Sequence, residues 1–296
     1  MWLLLVQNAA SAMSIVLGKA ALNYSAPFFY IGSRMVIGGL IFLACYYILY
    51  RRISIDKKDM LLLAQIMFFQ LYLAYLCDIY AISQLSAANA SILYTLSPFI
   101  AALFSYFIFN EYMTPKKLGG MLIGFVGILP IALFGATPGF GASLISWTGL
   151  LLLFGITCNT YGYILMRVLV KKRNYSPFLI TSLAMLGAGV CTLITSLAIE
   201  SPLLLDQKNI LPFLSILLLV VFFGNLVAYG LNSFLLRRYT ATLIAFAGFL
   251  YPVFGALFGL IFFGEPVSQA FLYSIVLVAL GLYVFYHEEL RQGYYQ

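Results

Sequence analysis

A small set of amides, tyrosines and charges lies inside long apolar runs, where each carries a cost and invites a purpose. Gln7 and Ser11 are four residues apart and Ser14 follows at three, so all share one face of a helix. Gln70 is central in its run. Asn159 and Tyr163 make a second four-residue pair, while Asn225, Tyr229 and Asn232 line a third face. Tyr94 falls on a comparable face. Amides and hydroxyls of this kind can bind the polar groups of a small organic solute, and tyrosine rings can cover its apolar or cationic parts. They can also simply tie helices together, a common use of polar residues in membranes. Asp78 is the one acid away from a helix end, and Arg34 is embedded in an apolar run. Intramembrane charge is expensive and is a functional hypothesis by default. The two can neutralise each other as a pair, or Asp78 can serve a cationic group or a coupling proton. There is no GxxxxGK[ST], no HExxH, no CxxC and no Cys/His cluster. Neither a metal, a cofactor nor a catalytic constellation is expected, and the chain does not read as an enzyme.

The surroundings of these residues identify the solvent. The chain has 296 residues, of which 64% are hydrophobic and 8% charged, against about 25% charged in a soluble domain. Mean hydropathy is +1.02. Most of the surface must face lipid, which predicts an all-α integral membrane protein. Ten spans of about 20 residues are expected near 2–20, 27–50, 60–82, 87–109, 116–134, 147–170, 177–199, 210–235, 241–263 and 267–286. The first lacks a basic leader and reads as a retained span rather than a signal peptide. The cysteines Cys45, Cys77, Cys158 and Cys191 read as small buried hydrophobes, and His287 as an interfacial residue.

The net charge of +7 does not indicate nucleic acid, because the basic residues cluster between apolar runs. Arg51, Arg52, Lys57, Lys58, Lys116, Lys117, Lys171, Lys172, Arg173, Arg237, Arg238 and Arg291 all follow even-numbered spans, with Arg167 grouped beside them. Only Lys19 and Lys208 fall on the other side. This asymmetry predicts both termini in the cytoplasm.

A repeat organises the chain. PFIAALFSYFIFNE begins at Pro98 and PVFGALFGLIFFGE at Pro252, 154 residues later, with six of fourteen positions identical. Ala87, Leu96 and Gly127 match Ala241, Leu250 and Gly281 in the same register. Five intervening spans would invert the second copy, as in many secondary transporters. The expected halves are 1–134 and 147–296, joined by a Gly/Ser-rich linker over 135–146. Pro98 and Pro252 would kink spans four and nine near the midplane, where freed carbonyls can serve a binding site or gate. Glu111 and Glu265 would anchor helix ends, and the pairs Gly120/Gly124 and Gly255/Gly259 would pack helices.

The segments SAANASILYTLSPFIAALFSYFIFNEYMTPKKLGGMLIGFVGI and TATLIAFAGFLYPVFGALFGLIFFGEPVSQAFLYSIVLVALGL resemble the two signature halves of the EamA-type drug/metabolite transporter superfamily. Arg34, in SAPFFYIGSRMVIGGLIF, also fits its first-half pattern. The resemblance implies ten helices in two inverted five-helix repeats, cytoplasmic termini, a bacterial inner-membrane location and a central cavity for small organic solutes. The four-helix multidrug branch couples to protons through a glutamate in its first helix, whereas span one here holds no acid. The expected activity is alternating-access transport. An amino acid or similar zwitterion is the first expectation for the substrate, since neutral amides and tyrosines dominate the proposed lining. The alternatives are a larger cationic metabolite such as S-adenosylmethionine, exchanged for its demethylated product, and broad-specificity metabolite or drug export. The partners are thus a small-molecule substrate and the lipid bilayer, and monomer and dimer are equally open.

Overall fold

The computed structural model describes residues 2–50, 54–85, 90, 93–133, 146–200, 207–263 and 269–293. Every regular element among them is helical. In chain order they are α1 (Trp2–Ala21), α2 (Pro27–Tyr50) and α3, which runs through Met60–Gln65, a π-helical Ile66–Leu73 and Ala74–Gln84. Next come α4 (Ser97–Phe109), α5 (Pro115–Leu133), α6 (Trp147–Arg167, with a π-helical Val168–Lys172) and α7 (Pro177–Ile199). Last are α8 (Gln207–Val220, a π-helical Val221–Tyr229 and Gly230–Leu235), α9 (Ala241–Ala247), α10 (Leu250–Phe263) and α11 (Gln269–Arg291). Proline opens α2, α5 and α7, where its missing N–H would have had no partner in any case. Thr240 caps α9 by accepting from Leu243 N at 3.1 Å.

Among the described residues, eight helical stretches are long and apolar enough to cross a membrane, and Ser97–Phe109 is a shorter apolar helix. Leu197 and Leu211 are 83% and 76% exposed, an outward apolar surface suited to lipid rather than water. Expected spans 27–50 and 177–199 coincide with α2 and α7. Residues 135–145 of the expected linker, Ala87, Arg51, Arg52 and Glu265 lie outside the described residues.

The chain packs as two compact units, Met1–Tyr72 with Leu165–Arg237, and Leu73–Ile164 with Arg238–Gln296. Two of the three divisions fall inside α3 and α6 and the third follows α8, so each unit draws on both expected halves.

In the first unit α2 packs along α7. A β-carbon on Gly39 would lie 3.0 Å from Leu186 N and 3.1 Å from the Ser182 carbonyl oxygen. One on Gly189 would lie 2.9 Å from Val36 N and 3.1 Å from the Gly32 carbonyl oxygen. Adding 150 to each residue of α2 turns one contact set into the other. Pro27, Phe28, Met35 and Gly39 correspond to Pro177, Phe178, Met185 and Gly189 at that same separation, a second repeat the sequence reading missed. Glu200, just past α7, accepts from the N–H groups of Phe28 and Phe29 at 2.7 and 3.0 Å and from Ser196 Oγ at 2.6 Å. A carboxylate there satisfies two orphan donors and complements the α2 dipole.

At another edge of this unit, Arg173 lies 3.4 Å from Asp59, the Tyr175 hydroxyl donates to Asp59 at 3.0 Å, and Arg237 donates to the Tyr175 carbonyl at 2.8 Å. The Asp56 N–H would lower the Tyr175 phenol, but burial and the Asp59 carboxylate outweigh it and hold the phenol above its ordinary range. Arg167, expected among the basic cluster, is instead buried at 1% exposure. Cys77 and Cys158 are buried as expected and Cys191 is partly so, whereas Cys45 is exposed.

In the second unit α5 and α11 meet backbone to backbone. A β-carbon on Gly281 would lie 2.6 Å from the Gly120 carbonyl oxygen and 2.8 Å from Gly124 N. Gly120/Gly124 thus does pack helices. A β-carbon on Gly255 would meet no described atom within 4 Å. Glu111 is buried beyond the C-terminus of α4, where Asn110 adopts a left-handed conformation (φ 54°) and closes the helix.

Candidate functional site

The expected proline kinks take the form of interruptions. Leu93 and Tyr94 are helical, Thr95 and Leu96 form a turn, and α4 then starts with Pro98 in its first turn. In the second copy α9 ends at Ala247, Gly248 and Phe249 turn, and α10 carries Pro252 in its first turn. The turns close with three-residue hydrogen bonds, Leu96 N to Leu93 O at 3.0 Å and Phe249 N to Phe246 O at 3.0 Å. Proline costs little at a helix start and much inside one, which explains why the breaks precede it. The two breaks lie within one residue of register at the 154-residue separation. Within this unit α4 packs on α9, with Thr242 Oγ1 donating to Ser105 Oγ at 3.4 Å.

Beside these breaks the second unit gathers an acid and four tyrosines. The Tyr94 hydroxyl donates to the Asp78 carboxylate. Tyr75, one turn before Asp78 in α3, acts electrostatically on both Tyr94 and Tyr163, and Tyr251 acts on Tyr163. Tyr94 immediately precedes one break and Tyr251 adjoins the other. Asp78 as a residue is half-buried, but its Oδ1 is closed to solvent and accepts no hydrogen bond among the described residues. Gly155 of α6 makes room for it: a β-carbon there would lie 3.4 Å from Asp78 Oδ1 and 2.8 Å from Cys77 Cβ. Asn159 and Tyr163 continue the Gly155 face at four-residue steps, and Asn159 is half-buried.

The first unit holds the amides. Gln7 is buried and donates to Ser11 Oγ at 3.4 Å, and Ser11 donates to the Gln7 carbonyl at 2.9 Å. Gln70 and Asn225, each 1% exposed, both sit in π-helical segments of α3 and α8. Such segments are rare and frequently mark functional positions. Asn225 fills the space over Gly38, where a β-carbon would lie 2.7 Å from its Cβ, and Nδ2 makes a weak 3.7 Å contact with Met185 Sδ. Its Oδ1 is buried with no partner among the described residues. Gly224, its neighbour, admits the Ser14 hydroxyl. Tyr229 is half-buried and Asn232 buried.

Arg34 reaches Tyr30, with Nη1 donating to the hydroxyl at 3.4 Å and the guanidinium 5.5 Å from the ring centroid. Arg34 belongs to the first unit and Asp78 to the second, and within its own unit each has a tyrosine neighbour. The sequence reading missed Asn8, which is fully buried and donates to Leu4 O at 2.7 Å while its Oδ1 lacks a partner among the described residues. It also missed Tyr75 and Tyr251. Their signals were available: Tyr75 shares a face with Asp78, and Tyr251 adjoins the repeated proline.

The EamA-like transporter family model matches residues 1–133 and 146–287. A Chlamydia trachomatis (serovar L2) protein described as an S-adenosylmethionine/S-adenosylhomocysteine transporter is 33% identical over 95% of this chain and 87% of its own length. A Chlamydia muridarum protein of the same description is 33% identical over 95% and 89%. A crystal structure covering 96% of this chain and 97% of its own superposes with a TM-score of 0.77 at 16% identity, a likeness of fold alone. This chain belongs to the EamA-like transporter family: it is a multi-pass integral membrane transporter, not an enzyme.

Proposed function

We propose that this protein carries S-adenosylmethionine and its demethylated thioether product, S-adenosylhomocysteine, across a bacterial inner membrane by alternating access. The observation that carries this reading is the 33% identity, over nearly the whole chain, to transporters described by that substrate pair. The site chemistry agrees. S-adenosylmethionine presents a sulfonium cation, an amino-acid end and an aromatic base. Asp78 with Tyr75, Tyr94, Tyr163 and Tyr251 suits the sulfonium, because carboxylates and tyrosine faces both attract cations. Gln7, Ser11, Gln70, Asn159, Asn225 and Tyr229 suit the polar ends. A simple amino acid could place its ammonium against the acid but has neither sulfonium nor aromatic base, and the identity to transporters described by the larger substrate pair moves the reading from the first expectation to its alternative.

The architecture proposed with it is ten spans in two inverted five-helix repeats, 1–134 and 147–296, with both termini cytoplasmic. The reciprocal contacts of Gly39 and Gly189 and the matched breaks before Pro98 and Pro252 support a two-fold relation. The twelve-to-two distribution of basic residues supports the orientation. The breaks at Pro98 and Pro252 would be the moving parts. In detergent, S-adenosylmethionine at 100-fold its Kd is expected to stabilise the protein by about 2.7 kcal/mol, read as a rise in unfolding temperature. Leucine at equal concentration giving the same rise, with none from S-adenosylmethionine, would favour the amino-acid reading.

A further inference from the structure

Asp78 poses a problem of charge that the substrate reading does not resolve by itself. One carboxylate oxygen is held by Tyr94 and the other, Oδ1, is sealed without a hydrogen bond among the described residues. Among the described residues, the titratable groups that meet it are Tyr94 before the α4 break and Cys77 on its own helix, and beyond these come Tyr75 on that same helix, Cys158 and Tyr163 on α6, and Tyr251. None of these is a base that could hold a positive charge. A carboxylate left ionised and unpaired in such surroundings is costly, and it takes up a cation or a proton instead.

The two substrates differ in that respect. S-adenosylmethionine has a net charge of +1, from its carboxylate, ammonium and sulfonium. The thioether product has lost the sulfonium and is neutral overall. Resting on the transport reading above, we propose that the Asp78 pocket carries a sulfonium cation in one direction and a proton in the other. When S-adenosylmethionine is bound, the sulfonium lies against ionised Asp78 and the tyrosine faces. When the thioether is bound, Asp78 Oδ1 takes a proton from the water on the loading side and gives it up on the other. Each crossing then moves a locally neutral pocket. One S-adenosylmethionine cation enters as one neutral thioether and one proton leave, so charge balances over the cycle. The stoichiometry also matches the use of the substrate, since methyl transfer to a protonated nucleophile releases one proton for each thioether formed.

The test uses the full chain in proteoliposomes loaded with S-adenosylhomocysteine and an entrapped pH-sensitive dye, with labelled S-adenosylmethionine outside. Uptake is expected to raise the internal pH, about one proton leaving per molecule taken up. Its rate should not respond to an imposed membrane potential, and exchange of S-adenosylmethionine for itself should leave the pH unchanged. Asp78→Asn should lower S-adenosylmethionine self-exchange at least about tenfold more than S-adenosylhomocysteine self-exchange, and Asp78→Glu should restore part of that ratio. Size-exclusion behaviour and unfolding temperature separate these effects from misfolding. Exchange without internal alkalinisation, or exchange driven by potential, would overturn the proton role while leaving the substrate reading intact. Equal losses of both self-exchange reactions in folded Asp78→Asn protein would also overturn it. Movement of neither compound would overturn both.

Discussion

Replacing Gly281 by valine is expected to cost about 3 kcal/mol or more, at the upper end of what overpacking produces. A β-carbon at Gly281 would be 2.6 Å from the Gly120 carbonyl oxygen, 2.8 Å from Gly124 N and 3.1 Å from Gly124 Cα. All three neighbours are backbone, so no side chain can rotate away. Relief requires α5 and α11 to separate, which also strips contacts from Gly127, where a β-carbon would meet Leu277 Cβ at 2.6 Å. Lipid tails are as apolar as the helices, so close van der Waals contact is the main force holding the pair. Gly119 provides the control: nothing lies within 4 Å of a β-carbon there. Gly119→Ala should be neutral or stabilising by up to about 1 kcal/mol, since alanine is the better helix former. Thermal unfolding of the purified protein in detergent measures both, and equal melting temperatures for the two variants would contradict the packing assigned to this seam.

Asn225→Leu should change stability and transport in opposite directions. Asn225 is 1% exposed, its Oδ1 has no partner among the described residues and its best donor contact is to a sulfur at 3.7 Å. A buried acceptor left unsatisfied costs about 1–3 kcal/mol, and an apolar side chain of similar shape removes that penalty. The variant should therefore be about 1 kcal/mol more stable. If the amide is kept for a solute, uptake should nevertheless fall at least about tenfold, since one hydrogen bond and its orientation are lost. Less stable protein with unchanged uptake would instead make Asn225 an ordinary helix-packing residue.

Much of this organisation was legible in the sequence, and the gaps have physical causes. The boundaries of α2 and α7 were clear because proline opens each helix and charged or acidic residues follow its end. The 154-residue repeat was visible because proline and glutamate stand out in an apolar background. Its counterpart in α2 and α7 was hidden, since the glycines and methionines that carry it are ordinary in membrane helices. The π-helical turns around Gln70 and Asn225 left no trace, because a uniformly apolar helix has no periodicity for a wider turn to disturb. The breaks at Pro98 and Pro252 were anticipated only as bends: proline disfavours the interior of a helix but does not dictate whether the chain kinks or restarts. Arg167 was grouped with its basic neighbours by sequence distance alone, and burial depends on which face a residue occupies. Asp78 and Tyr94 were picked out separately, while their hydrogen bond and the convergence of Tyr75, Tyr163 and Tyr251 depend on tertiary packing.

Counterflow in proteoliposomes tests the central claim most directly. Vesicles containing the purified chain and preloaded with unlabelled S-adenosylhomocysteine should accumulate labelled S-adenosylmethionine transiently above equilibrium, with external S-adenosylhomocysteine competing and leucine not. Counterflow of leucine with no accumulation of S-adenosylmethionine would contradict it.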